Sequence, residues 1–183
     1  MKNLSALIIA VIVLLVLVFF TFAYFVRYHQ TAVVTTFGAA SEASVRDDPG
    51  IYFKWPPPIQ RVYAYPRQLQ ILEGSQIEIQ TADNIAVIPA TYVVWRVEDP
   101  LAFNRALKTI AQAEDKLTPL INGFSSIISR YRFDQMVNND PAKVELEKIE
   151  ADLTDALRQS LATQNPSWGI AVERFGIRRL ILP

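Results

Sequence analysis

Three groups of side chains in this 183-residue chain are of types that could do bond-making chemistry. The first is its one histidine, His29, two residues beyond Arg27. A lone histidine cannot build a multi-histidine metal site, and a general base needs a partner to orient it; His29 reads as a solvated linker residue. The second is a Ser–Lys pair, the main nucleophile left in a chain without cysteine. Ser125, Ser126 and Ser129 share one helical run, and Lys116 is the nearest lysine in sequence. Helix serines usually bond back to their own chain, so a Ser–Lys hydrolase stands as the alternative reading. The third group is the carboxylates Glu145, Glu147, Glu150, Asp152 and Asp155. They could hold a cation, but their spread around a helix with an apolar stripe reads as its wet face. Neither G-x-G-x-x-G nor G-x-x-x-x-G-K-[ST] occurs, so no phosphate loop is expected. No cofactor or metal is expected, and the sequence argues against an enzyme.

The elements that would carry these residues begin with an apolar run. Leu4 to Val26, LSALIIAVIVLLVLVFFTFAYFV, holds no charge. As a helix it would be about 34 Å long, against ~30 Å of bilayer hydrocarbon. Its end is aromatic (Phe19, Phe20, Phe22, Tyr24, Phe25), which suits an interfacial belt and not a cleavage site. A retained transmembrane signal-anchor over residues 1–27 is therefore expected, with Leu4, Leu14, Phe20 and Val26 among its anchoring residues. Lys2 flanks one end and Arg27 the other, so basic residues do not choose an orientation. Eighteen basic and eighteen acidic residues leave no net charge, and so no electrostatic reason to expect nucleic acid. The absence of cysteine excludes disulfides, thiol catalysis and zinc-thiolate sites.

Past the anchor, Thr31–Phe37 is β-branched and stopped by Gly38, and reads as a strand. Ile51–Trp55 and Ile59–Tyr65 read as the next two. Arg67–Glu73 and Gln76–Thr81 alternate, with Leu69, Ile71, Ile77 and Ile79 on the apolar face. Ile85–Val97 is apolar on both faces, which predicts burial on both sides and an edge or bulge at Pro89. At Asp99-Pro100 the pattern changes, because Asp caps and Pro opens a helix. Leu117 to Tyr131 keeps helical spacing, with Pro119 either opening a fresh helix or kinking one. Asp140-Pro141 predicts a third helix with Leu146, Ile149, Leu153, Leu157 and Leu161 inward; Lys143 and the carboxylates from Glu147 to Asp155 face out. Ile170–Leu182 reads as a closing strand. The order is α+β: a β-rich part over 28–98, then a helical part over 99–183 that ends in a strand.

DPGIYFKWPPPI, Asp48 to Ile59, is the most unusual stretch. Three prolines donate no hydrogen bonds, so Pro56-Pro57-Pro58 belongs at a sheet edge or end. A PxxP ligand would lie in a disordered segment, whereas strands flank this one. Phe53, Trp55, Pro56, Pro57 and Ile59 make an apolar tip, and Trp favours the headgroup zone. A tip tethered this close to a membrane anchor is expected to dip into the lipid surface.

These segments together resemble a known family. The carrying residues are Thr36-Phe37-Gly38, then Pro49-Gly50-Ile51-Tyr52-Phe53-Lys54-Trp55-Pro56 and Gln80-Thr81-Ala82-Asp83-Asn84. Further on come Val94-Trp95-Arg96-Val97-Glu98-Asp99-Pro100, Trp168-Gly169-Ile170-Ala171-Val172 and Ile177-Arg178-Arg179-Leu180-Ile181-Leu182-Pro183. Their order resembles the SPFH (Band 7) superfamily of stomatin, prohibitin, flotillin and the bacterial HflK–HflC pair, and the single-anchor layout is most similar to the HflC-like branch. The resemblance implies a non-enzymatic membrane scaffold. Its partners would be lipid, homologous SPFH subunits in homo- or hetero-oligomers, and a membrane-bound AAA protease of the FtsH type. An HflC-like member implies the bacterial inner membrane with the domain periplasmic; a stomatin-like one implies the cytoplasmic side. A tethered adaptor that does not assemble is the other non-enzymatic reading. Two departures stand out. Relatives continue past the position of Leu182-Pro183 into an Ala/Glu-rich coiled-coil helix that this sequence lacks, so assembly is expected to be weak or to need a longer partner unless the sequence is a piece of a longer chain. Many relatives also carry an Asp-x-Arg step where this chain has Tyr65-Pro66-Arg67.

Overall fold

The computed structural model describes residues 2–138, 140, 144–164 and 167–182, with the side chains of the first helix described from Leu7. The chain forms two compact units, Met1–Pro66 and Arg67–Pro183. Strands between Gln70 and Val97 thus belong with the helices. The division at 98/99 followed the switch in periodicity, whereas contacts follow the pairing of strands on either side of the helices.

In the first unit, helix α1 (Lys2–Phe22) leads without a linker into strand β1 (Ala23–Val26). The uncharged helix expected over 4–26 therefore stops four residues early. Ala-Tyr-Phe-Val is as good a strand as a helix end, and a partner is present: β1 pairs antiparallel with β4 (Gly50–Phe53) over its whole length. Among the described residues no helix is long and apolar enough to cross a membrane. The unit's other sheet has the order β3-β2-β5, from Val45–Arg46, Gln30–Thr36 and Gln60–Pro66. It buries Thr31, Val33 and Thr35, with Tyr65 opposite Thr31.

The second unit is built on β8 (Ala86–Val97), which pairs with β6 (Gln70–Glu73) and β7 (Ile79–Gln80) on one side and β9 (Ile170–Ile181) on the other. β8 alternates strictly. Val87, Pro89, Thr91, Val93, Trp95 and Val97 are buried, while Ala86, Ile88, Ala90, Tyr92 and Val94 are only half-buried. The two-sided burial expected from its apolar run is thus one-sided. In an antiparallel sheet, helices need cover only one face. A register shift falls beside Pro89, between Ala90 and Thr91. In β6 the alternation holds but the expected face is reversed: Leu69, Ile71 and Ile77 are exposed, and Leu72 turns inward.

Helix α2 (Pro100–Ala106) opens as its sequence predicts, with Asp99 Oδ1 accepting from the amides of Leu101 and Ala102 at 2.9 and 3.0 Å. α3 (Ile110–Phe124) runs through Pro119 and tightens into a 3-10 turn at Ser125–Arg130. A short α4 (Phe133–Met136) follows, then α5 (Leu146–Ala162). The predicted opening of this last helix at Asp140-Pro141 falls largely outside the described residues, as does Lys143. Trp95, Phe103, Leu117, Ile121, Ile149, Leu153, Leu157 and Phe175 are fully enclosed, each contributing about 1.5–3 kcal/mol by burial. Gly169 is required where the chain meets the start of α2. Its φ is +63°, a Cβ there would collide with the Asp99 carbonyl and the Phe103 amide, and its own carbonyl accepts from Glu98 and Asp99.

One expectation about α5 is overturned. Glu150 is buried, not on the wet face. It lies in a stripe with Thr154 and Arg158, spaced four apart on one side of the helix, and that stripe lines the outer edge of β9. Glu150 Oε1 accepts from the Ile177 amide at 2.9 Å, and Thr154 Oγ1 accepts from the Phe175 amide at 3.0 Å. Arg158 donates to the Val172 and Glu173 carbonyls at 2.8 and 3.1 Å. An edge strand presents unpaired backbone groups; here helix side chains stand in for the next strand. Arg174 pairs with the other Glu150 oxygen.

Candidate membrane-facing surface

The β1–β4 ribbon is where the apolar helix meets the Phe53–Ile59 tip. Its register sets Ala23 opposite Phe53, Tyr24 opposite Tyr52, and Phe25 opposite Ile51. Directly opposed residues share a face and neighbours along a strand alternate. One face of the ribbon therefore carries Phe25, Ile51 and Phe53, which are 62%, 55% and 70% exposed. The other carries Tyr24 and Tyr52, stacked at 5.7 Å, with the Arg46 guanidinium over the Tyr52 ring at 5.9 Å. Burial pushes the Tyr24 phenol up from its ordinary value.

The ribbon is locked to the helix end. Lys54 N donates to the Phe22 carbonyl at 2.7 Å. Phe19 meets Phe53 edge-on at 6.0 Å, and Phe22 meets Trp55 at 6.1 Å. Phe19 is one helical turn back from the end of α1, so the Phe53 ring lies level with the helix's last turn. The tip itself is held by Gln60, whose Oε1 accepts from Trp55 N at 2.8 Å and whose amide nitrogen donates to Thr36 at 3.1 Å. Ile59 N closes the proline turn onto the Pro56 carbonyl at 3.1 Å. The Pro57–Pro58 bond is cis.

The structure brings most of the sequence-predicted residues together. Phe53, Trp55 and Pro57 are exposed at the tip, with Pro56 and Ile59 half-buried beneath them. Leu14 and Phe20 project from α1 and are exposed, while the Leu4 side chain lies outside those described. Val26 departs from expectation: it is buried in β1 opposite Gly50, on the Tyr24 face of the ribbon. Phe25, read as part of a helical aromatic belt, instead joins Ile51 on the exposed strand face. The alternation of Ile51 and Phe53 was a visible signal of that face, but its partner strand was hidden inside the apolar run. Exposed Phe37, left-handed at φ +50°, adds to the same end of the β2–β5 pair, its amide bonded to the Ile59 carbonyl.

The residues considered for chemistry are engaged elsewhere. Ser125, Ser126 and Ser129 donate to the carbonyls of Ile121, Gly123 and Ser126. Lys116 Nζ lies over the Trp168 ring at 5.4 Å. His29 is exposed in the turn between β1 and β2. Among the described residues no cluster of three or more His, Cys, Asp or Glu could hold a metal.

An apolar helix and paired strands, followed by a one-sided antiparallel sheet backed by helices and closed by a long last strand, define an α+β fold. The SPFH domain / Band 7 family model matches residues 24–183, beginning within β1, and the chain belongs to that family. Within it the likeness is to the HflC-like branch. Protein HflC of Vibrio parahaemolyticus serotype O3:K6 (strain RIMD 2210633) is 25% identical over 160 residues, covering 74% of this chain and 49% of the relative. The chain spans about half the length of that curated relative.

Proposed function

We propose that this chain is a membrane-tethered, non-enzymatic SPFH scaffold. In this reading α1 anchors it as a single-pass protein of the bacterial inner membrane. The ribbon face and tip rest in the lipid surface on the periplasmic side. The exposed helix faces of the second unit meet homologous SPFH subunits, and the assembly organises or restrains a membrane-bound AAA protease of the FtsH type. Family membership and the HflC likeness support the scaffold. The observation that carries the membrane-facing part is the contact of Phe53 and Trp55 with Phe19 and Phe22: whatever solvates the last turn of α1 also solvates the tip.

The chain has no cysteine, so single spin labels can be placed at will in the reconstituted full chain. Labels at Phe25→Cys, Ile51→Cys and Phe53→Cys should be accessible to oxygen and shielded from aqueous nickel, and labels at Tyr24→Cys and Tyr52→Cys should not. If all five report water, the tip does not touch lipid. Assembly is tested by the particle mass of the chain extracted in nanodiscs, with co-purifying proteins identified. A large particle holding a longer SPFH relative or an AAA protease is expected, and a lone monomer would leave a tethered adaptor instead.

A further inference from the structure

The cations of the first unit are distributed in a way that an apolar tip alone does not explain. Met1–Pro66 carries five basic residues (Lys2, Arg27, Arg46, Lys54, Arg61) against three acidic ones (Glu42, Asp47, Asp48), in a chain with no net charge. Asp47 and Arg46 are occupied within the unit. Asp47 accepts from the Thr31 hydroxyl at 2.8 Å, and Arg46 donates to the Ala43 and Val45 carbonyls while covering Tyr52. Lys54 and Arg61 differ, as does the exposed Arg27 just past β1. Among the described residues none of these side chains has an ion pair or a hydrogen-bond partner. In sequence Lys54 and Arg61 adjoin the two ends of the Trp55–Gln60 hydrogen bond that holds the tip. Lys54 directly follows the last residue of β4, one residue from both Phe53 and Trp55. Its four-carbon stem can lie along apolar surface while the charge reaches a polar layer.

We infer that the Trp55 tip is selective for anionic phospholipid, with Lys54 and Arg61 engaging headgroup phosphates while Phe53 and Trp55 enter the acyl boundary. The inference rests on the membrane-facing reading above and adds charge selection to it. Aromatic insertion by itself favours no headgroup, whereas a basic side chain held at the surface of an anionic leaflet enriches that lipid about fivefold.

The full chain carrying Trp168→Phe, reconstituted in equal phosphatidylcholine and phosphatidylglycerol with one or the other lipid dibrominated, tests this by tryptophan quenching. Trp95 is fully enclosed, so the responsive signal belongs to Trp55. Brominated phosphatidylglycerol should quench more strongly than brominated phosphatidylcholine. Adding Lys54→Gln and Arg61→Gln should make the two equal without abolishing either, and Lys54→Arg with Arg61→Lys should keep the preference. Equal quenching in the unsubstituted tip, or a preference that survives the Gln pair, overturns the selectivity. No quenching by either lipid overturns the membrane-facing reading itself.

Discussion

Replacing Glu150 with leucine should destabilise the second unit through one backbone amide more than through a lost charge. Glu150 does two things: Oε1 accepts from the Ile177 amide at 2.9 Å, and the other oxygen holds Arg174. The Arg174 side chain is 58% exposed, so solvent screens that pair and its loss costs little. The Ile177 amide is buried on the edge of β9, and leaving it without an acceptor costs about 1–3 kcal/mol. Glu150→Leu should therefore lose about 1–3 kcal/mol, a fall in Tm of roughly 2–12 °C for a chain of this length. Glu150→Gln keeps a side-chain carbonyl for Ile177 and should lose little. Thermal unfolding in detergent, followed by the near-ultraviolet signal of the enclosed Trp95, gives the order. Amide hydrogen exchange at Ile177 then localises it: fast in the leucine variant, protected in the glutamine variant. If glutamine proves as damaging as leucine, the ion pair and not the edge acceptor sustains this corner. If leucine costs nothing, the stripe along α5 is incidental to the strand it lines.

Gly169→Ala should cost about 1–3 kcal/mol from backbone strain alone, with the clash at Asp99 added, while Gly123→Ala, in open space inside α3, should gain roughly 0.5–1 kcal/mol; urea unfolding of both separates the opposite signs. The Thr81 hydroxyl, with the Phe133 amide, holds the Asp83 carboxyl below the ordinary carboxylate range. Its contribution is then present above about pH 4 and lost as pH falls through the lowered folded value, so Asp83→Asn should flatten the acid limb of the stability–pH curve. The hydrogen bond to Asp152, foremost, pushes the Tyr131 phenol up to about 12. Its contribution is complete below about pH 10 and fades as pH rises toward the folded value. Tyrosinate absorbance should show one late-ionising phenol that Tyr131→Phe removes and Asp152→Asn brings earlier.

Much of this architecture is legible in local chemistry. The Asp99-Pro100 cap, the extent of β8 and the closing strand are written in neighbouring residues, and so is the tip, because prolines and aromatics restrict what the chain can do there. The hidden features depend on partners remote in sequence. Nothing in Phe22-Ala23-Tyr24 marks the end of a helix; β1 exists because Gly50–Phe53 is there to pair with it. Glu150 looks solvent-facing because a charge beside an apolar stripe is usually wet, and only the edge of β9 shows why it is enclosed. Ile71 and Leu72 differ in burial although both are apolar and adjacent, and the register against Val94 and Val93 decides which one turns inward. The candidate surface was half legible for the same reason: Phe53 and Trp55 announce themselves, whereas Phe25 joins them only through the ribbon.

The missing linker between α1 and β1 has a mechanical consequence. Phe22 ends the helix and Ala23 begins the strand, with the Lys54 amide on the Phe22 carbonyl and two aromatic pairs bracing the junction. Such a joint has no hinge. If α1 anchors in a bilayer as proposed, any lean it takes would be handed on to the ribbon as an equal rotation. Bilayer thickness would then set the angle at which the first unit stands on the surface.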